Sequence, residues 1–440
     1  MISVIGLGKL GACTATCFAV KGYKVIGVDI NEKFVRAIND KKAPIEEPGL
    51  QEMILKAGSN LRATQDYGEA INKSDITFLI VPTPSQPDSN FSDKYLLDAI
   101  DKLALELKKS NKEYHLFVVV STVTPGTIES SLIPAIELKS KRKLNEGFGV
   151  CYNPEFIALG SVIHDFLNPD LVLIGESSKA DGDKLEAIYR SVCENSPKIA
   201  RMSIISAEIT KISLNSFITM KISFANTISN LCEEIPNANV DDITRALGAD
   251  KRISPYYLKG GLSFGGPCFP RDNRAFCSFA AKYGMDAFLA KATDRANEDH
   301  LKRVVNRILP IVKKNNSNNV AVLGLAYKPN TPVIEESPAI KIIEELIKNG
   351  INVIAYDPLA IDNCRSLFGN KVQYASSIKE CFANSSICLI TTPDNEFKSI
   401  DSSYIKNIPT VIIDCWRVLD KERLGANVNY LALGSFWHLE

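Results

Sequence analysis

The residues best suited to covalent chemistry sit in Phe264-Gly265-Gly266-Pro267-Cys268-Phe269-Pro270-Arg271-Asp272. Gly265 and Gly266 let backbone come close to a ligand, and Pro267 and Pro270 fix the chain on either side of the sulfur. Asp272, four positions on, could hydrogen-bond a water or a reacting oxygen. A thiol held this way suits a nucleophile. The competing reading is a structural cysteine in a tight loop, because free thiols are among the most buried side chains. The N-terminus supplies the context that separates the two. Ile2-Ser3-Val4-Ile5 reads as a strand, Gly6-x-Gly8-x-x-Gly11 opens a helical stretch through Phe18, and the next strand, Lys24–Asp29, ends in an acid 18 residues after Gly11. This is the full context of a dinucleotide fingerprint. Gly6 makes the turn, Gly8 admits a pyrophosphate, and Gly11 lets the helix pack close to the sheet. Asp29 can accept from a ribose 2′-hydroxyl but repels a 2′-phosphate, and Ile30-Asn31 offers no arginine to offset that. The cofactor expected is NAD rather than NADP.

A nucleophilic cysteine beside NAD has a defined use. Thiolate attack on an aldehyde gives a thiohemiacetal that can lose hydride, and the resulting thioester is hydrolysed to an acid. Such a site needs a donor for the oxyanion and a carboxylate to activate water. Lys211 and Asn215 are four apart and share a helix face. Glu155 follows a strand end in Tyr152-Asn153-Pro154-Glu155-Phe156. Taken singly, a solvated lysine, a polar helix position and a loop carboxylate explain each of them better.

The elements around these residues imply an α/β protein of more than one domain, since 440 residues exceed one ordinary core. Strand-like runs at Ile76–Val81, Phe117–Val120 and Leu171–Gly175 alternate with helix-length segments, as in a doubly wound parallel sheet. Ala207–Glu234 has no Pro or Gly, and Ile212, Phe217, Ile222, Ile228 and Leu231 recur at helical spacing. Helical sequence continues to about Leu309, and Lys313–Asn319 reads as a linker. Beyond it the first domain is echoed by Val320–Leu325, by Asn352–Asp357 and by Ile387–Ile390 before Thr391-Thr392-Pro393, without the full glycine fingerprint. The expected plan is two Rossmann-like doubly wound sheets, 1–203 and 310–440, joined by a long-helix domain at 204–309 that could supply a dimer interface.

Composition narrows the function classes. Lys+Arg and Asp+Glu number 51 each, so no bulk field gathers nucleic acid or anionic lipid. The 11 cysteines show no C-x-x-C pair or disulfide spacing, and Cys13, Cys17, Cys193, Cys232, Cys277, Cys381 and Cys388 lie in apolar runs as small core residues. Histidines at 115, 164, 300 and 438 are too scattered for a zinc site. A strand beginning at residue 2 and the lack of an 18-residue apolar run point to a cytoplasmic, reducing location.

The ordered motifs resemble the UDP-glucose/GDP-mannose dehydrogenase family of nucleotide-sugar 6-dehydrogenases over nearly the whole chain. They are the glycine fingerprint, Pro44-Ile45-Glu46-Glu47-Pro48-Gly49-Leu50, Ser121-Thr122-Val123-Thr124-Pro125-Gly126-Thr127, Asn153-Pro154-Glu155-Phe156, Lys211-x-x-x-Asn215-x-Phe217, and the Cys268 loop. Gly324-Leu325-Ala326-Tyr327-Lys328-Pro329-Asn330-Thr331 and Asp414-Cys415-Trp416-Arg417 continue the series. The resemblance implies a four-electron oxidation of a sugar C6 alcohol to a carboxylate, using two NAD, by a homodimer. It makes Cys268 the nucleophile and Glu155 the activator of the hydrolytic water. Lys211, Asn215 and a water held by Asp272 and Thr122 would act at the C6 oxygen, with the first base left open between Lys211 and the Asp272 water. The cofactor would meet Gly6, Gly8, Lys9, Leu10, Gly11, Asp29, Thr83, Ser121 and Thr122. The nucleotide sugar would meet Glu155, Phe156, Lys211, Asn215, Tyr257, Leu258, Phe264, Gly265, Lys328 and Arg417, with Arg252 reaching the neighbouring subunit's sugar. Two positions depart from the pattern: Leu159 stands where a second glutamate often touches the sugar, and Glu335 stands where an arginine often approaches NAD. UDP-glucose is the expected substrate, with a UDP-N-acetylhexosamine or GDP-mannose as the alternatives. Rival readings are a two-electron β-hydroxyacid-type dehydrogenase, which has no use for Cys268, and a catalytically silent binding protein.

Overall fold

The computed structural model describes residues 1–157, 159–315, 318–405 and 410–437. The chain divides into two units, Met1–Ser213 and Leu214–Glu440.

The first unit is built on an eight-stranded sheet. Its strands are β1 (Ile2–Ile5), β2 (Val25–Val28), β3 (Leu61–Thr64), β4 (Ile76–Leu79), β5 (Leu116–Val119), β6 (Gly149–Tyr152), β7 (Leu171–Glu176) and β8 (Lys198–Met202). They lie in the order β3-β2-β1-β4-β5-β6-β7-β8. β1, β2, β4 and β5 are buried at every position. Helices cover both faces of a parallel sheet, so such strands read as unbroken apolar runs rather than alternating ones. The helix Gly11–Val20 after β1 is buried at nine of its ten residues. Phe18 anchors it, with ring centroids 4.8 Å from Phe78 and 5.3 Å from Phe166. Truncating such a ring to alanine costs about 3–5 kcal/mol. One pairing differs from the expected parallel sheet: β6 and β7 run antiparallel, so β7 and β8 form a reversed edge. A strand's direction is set by the path of its connection, which apolar patterning does not encode.

The helix Ile204–Cys232 leaves this sheet and continues into the second unit. There it is followed by helices Val240–Gly248, Phe269–Lys282 and Phe288–Lys314. The last continues past the expected stop near Leu309 and carries Pro310 inside it. Proline removes one helical hydrogen bond, but Ile308, Ile311 and Val312 keep that turn buried. Helix therefore replaces the first residues of the expected linker. Asn316 and Ser317, its centre, lie outside the described residues. The second sheet comprises β9 (Asn319–Leu323), β10 (Asn352–Tyr356), β11 (Gln373–Tyr374), β12 (Ile387–Ile390), β13 (Thr410–Asp414) and β14 (Val428–Ala432). Its order β11-β10-β9-β12-β13-β14, parallel throughout, repeats the order of β3-β2-β1-β4-β5-β6. The chain thus has two related α/β sheets with helices between them in sequence. Among the described residues no helix is long and apolar enough to cross a membrane.

Candidate active site

In the first unit the glycine fingerprint lies at the carboxyl end of β1, where β2 and β4 leave on opposite sides. Ligands of open α/β sheets bind at such a switch point. Gly6 has φ +95°, and a Cβ there would strike the Ile80 carbonyl. A Cβ on Gly11 would strike the Gly6 carbonyl and touch Ile80 after β4, so Gly11 fits the helix to the turn and to the end of the sheet. Gly8 is different: a Cβ there meets no protein atom within 4 Å. The protein's own packing does not need that glycine, whereas a phosphate approaching the backbone would. Lys9 is exposed and Leu10 half-buried at the helix start, where no side chain caps the N–H groups. Asp29 braces the turn, accepting from Leu7 N at 2.6 Å and Asn31 N at 2.7 Å. Each carboxylate oxygen keeps a further lone pair for a ribose hydroxyl. These features fit a dinucleotide.

Thr83, Ser121 and Thr122 lie on the same edge, after β4 and β5. Thr83 Oγ1 donates to the Thr122 carbonyl at 2.7 Å, and Ser121 Oγ accepts from Val81 N at 2.9 Å and donates to Val81 O at 2.7 Å. Sequence reading gave no role to Glu208, which holds the next turn. Its carboxylate accepts from Gly126 N at 2.6 Å and Ile128 N at 3.2 Å. Burial pushes its carboxyl up to about 7. Glu47, from the Pro44–Leu50 motif, likewise accepts from Gly160 N and Val162 N, on either side of Ser161.

Lys211 and Glu155 meet in this unit. Lys211 is 7% exposed, its Nζ donates to the Glu155 carbonyl at 2.6 Å, and it lies 4.6 Å from the Phe156 ring centroid. Burial raises the Glu155 carboxyl to about 7, against the opposing pull of Tyr189 and Lys211. Leu159 is half-buried against the apolar core.

In the second unit Cys268 occupies the N-cap position of the helix Phe269–Lys282. It is the exposed one among the 11 cysteines; Cys193 and Cys277 are half-buried, and the rest are buried. A helix N-terminus favours a negative thiolate. One turn on, buried Asp272 bonds its N–H to the Cys268 carbonyl at 2.8 Å. Its carboxylate accepts from Asn215 Nδ2 at 2.6 Å and from Arg271 Nε at 3.1 Å. Asn215 and Asp272, assigned separate tasks in the sequence, thus meet side chain to side chain.

The loop ahead of the cysteine is pinned by side chains that the sequence did not single out. Asn226 donates to Leu262 O and accepts from Gly261 N, and His300 Nε2 lies 2.7 Å from Gly261 O. Asn297 exchanges hydrogen bonds with the Phe264 backbone at 2.8 and 3.0 Å. Gly261 lies against Trp416, Gly265 against the Glu336 carbonyl and Gly266 against Tyr327. Leu258 and Phe264 are buried in this loop, while Tyr257 is 53% exposed at φ +58°. Arg252 projects from an exposed turn, paired with Asp250 at 2.6 Å. Lys328 is half-buried in the loop after β9, and Glu335 is exposed.

Arg417, after β13, is held by protein partners. Its guanidinium donates to both Asp241 oxygens at 2.7 and 3.0 Å, and to the carbonyls of Leu433 and Gly260 at 2.6 Å each. These contacts take four of the five guanidinium N–H groups.

Three family models match the chain in order. They are the NAD binding domain (residues 1–193), the central domain (205–299) and the UDP binding domain (321–421) of the UDP-glucose/GDP-mannose dehydrogenase family. The chain belongs to this family. Like other members it carries the family's NAD binding domain, so its cofactor is NAD. It is 35% identical to UDP-glucose 6-dehydrogenase AglM of Haloferax volcanii over 96% of this chain and 97% of that protein. It is 32% identical to GDP-mannose 6-dehydrogenase of Pseudomonas putida, over 91% and 92% of the two chains. The solved UDP-glucose dehydrogenase of Pyrobaculum islandicum superposes with a TM-score of 0.88 at 30% identity, covering 99% of this chain and 97% of the other.

Proposed function

We propose that this family member oxidises the C6 alcohol of UDP-glucose to the carboxylate of UDP-glucuronate, with two NAD per sugar. The observation that carries the reading is Cys268, exposed at a helix N-terminus one turn from the buried Asn215–Asp272 pair. NAD, when bound, supplies the hydride acceptor. In this reading Lys211 and Asn215 donate to the C6 oxygen, and Asp272 with Thr122 holds a water there. In the first oxidation C6 loses a hydride and its hydroxyl proton passes to Lys211 or to the water at Asp272, giving the aldehyde. The Cys268 thiolate adds to the aldehyde carbon to give a thiohemiacetal, and loss of a second hydride leaves a thioester. Glu155 takes a proton from the water that cleaves it, releasing the acid and returning the thiol. UDP-glucose is favoured by the named activities of the relatives in Haloferax volcanii and Pyrobaculum islandicum. Leu159 supplies no carboxylate to a sugar hydroxyl.

NADH yield with limiting sugar tests the reading. Two NADH per UDP-glucose with uronate as product is expected. One per sugar would mean a two-electron dehydrogenase. Faster turnover of GDP-mannose or a UDP-N-acetylhexosamine would reassign the substrate.

A further inference from the structure

Tyr189 lies on the helix Lys179–Val192 and is 2% exposed, its ring centroid 6.0 Å from that of Phe166. Its hydroxyl has a single proton and two acceptors, Asn153 Oδ1 at 2.6 Å and Glu155 Oε1 at 3.2 Å. The Asn153 amide cannot turn to relieve this competition, because its Nδ2 donates to the Leu173 carbonyl at 2.9 Å. Oδ1 therefore faces Tyr189. When Glu155 is ionised it draws the tyrosine proton; when protonated, it can itself donate to the tyrosine oxygen.

We infer that Tyr189 is a positioning residue for Glu155, holding its carboxylate in one orientation and stabilising the ionised form, with Asn153 competing for the same proton. The inference rests on Glu155 being the base for thioester hydrolysis. Other titratable groups face Glu155 from neighbouring elements. Lys211 approaches from the helix Ile204–Cys232 and helps hold the carboxyl down. Cys17 on the helix Gly11–Val20 and Cys193 at the end of Lys179–Val192 feel its charge. Burial first, and Glu155 second, push those thiols up to about 12 and about 11, so both stay neutral. Tyr189 is held well above its ordinary value, by burial first, and keeps its proton. Lys211 and Tyr189 are thus the two groups favouring the charged base, against burial that raises its carboxyl to about 7.

The test uses the full chain with NAD and UDP-glucose, following kcat and KM from about pH 6 to about pH 9. Y189F should move the acid limb of kcat to higher pH by about half to one unit, a loss of about 3- to 10-fold at a fixed pH on that limb. The rate should recover at alkaline pH with KM unchanged. N153A should move the same limb the other way, since the tyrosine proton is left to Glu155 alone. A limb that stays put in Y189F, or a rate lowered equally at every pH, overturns the inference, and Y189F alone decides it should N153A fail to fold. E155Q separates this from the parent reading. If E155Q builds up an adduct on the Cys268 peptide while the Y189F limb is unmoved, only the tyrosine's role fails. Wild-type turnover in E155Q means that Glu155 is not the base.

Discussion

A thiol at a helix N-cap meets oriented N–H groups that stabilise its thiolate, whereas a thiol inside an apolar sheet meets none. Cys268 is in the first setting and Cys388 in the second, where burial holds its thiol far above the ordinary range. C268S should therefore abolish net acid formation while NAD affinity stays at the wild-type level, because the fingerprint is a separate stretch of chain. Titration calorimetry and a uronate assay read the two; uronate at the wild-type rate would rule out the covalent route. Asp29 carries two burdens at once. In the proposed cofactor site it would face the ribose, and it also accepts from Leu7 and Asn31. A like charge against a 2′-phosphate is worth on the order of 1–4 kcal/mol at contact distance. D29G should shrink the NAD-over-NADP preference about tenfold or more, and should also weaken NAD itself as the turn loses its brace. An unchanged ratio of kcat/KM values would show that Asp29 does not face the ribose.

Elements position these residues through contacts that side-chain type alone does not announce. β1, β2, β4 and the echoing β9, β10 and β12 were legible because buried parallel strands are continuous apolar runs. β8 was not, because Lys198-Ile199-Ala200-Arg201-Met202 at the sheet edge mixes charged and apolar residues. The Cys268 loop and the Lys211/Asn215 helix face were legible from glycine, proline and i,i+4 spacing. Glu208, Asn226, Asn297 and His300 were not, since each serves a backbone group many positions away. Glu208 gives the clearest prediction at this scale. E208A leaves the Gly126 and Ile128 amides without their acceptor, a cost of about 1–3 kcal/mol, and the turn after Thr122 should loosen. Thermal melting should shift down and the KM for NAD should rise, with E208Q, which keeps one acceptor oxygen, intermediate. The wild-type carboxyl carries a sign of its own. Its folded value near 7 lies above the ordinary glutamate value, so between the two the folded state holds the extra proton. Its contribution to stability is present below that window and is lost as pH rises through 7, and E208Q should flatten that part of the Tm–pH curve.

At the scale of the whole molecule, the helix Ile204–Cys232 leaves one face uncovered. Phe217, Phe224 and Leu231 are 59%, 52% and 54% exposed and lie seven residues apart. Seven residues nearly complete two turns, so the three form one stripe spanning about 21 Å of the helix. Scattered exposed apolar residues are ordinary, whereas an aligned stripe on a long helix is the kind of surface a protein interface covers. In a two-fold dimer the stripe would meet its own copy, so each side chain counts twice, and burying one such residue is worth about 1.5–3 kcal/mol. The homodimer proposed on family grounds would be held here. F224D should weaken it by about 100-fold or more, since each protomer then brings an unpaired carboxylate into an apolar seam. Light scattering across a dilution series reads the mass. Arg252, on its exposed turn, adds a functional consequence. If the Arg252 of one protomer completes the sugar site of the other, F224D should lose turnover in parallel with dimer mass, while NAD titration stays normal. Dimer mass retained in F224D would remove the stripe from the interface. Full turnover by a monomeric F224D would show that each chain's site is complete without its neighbour.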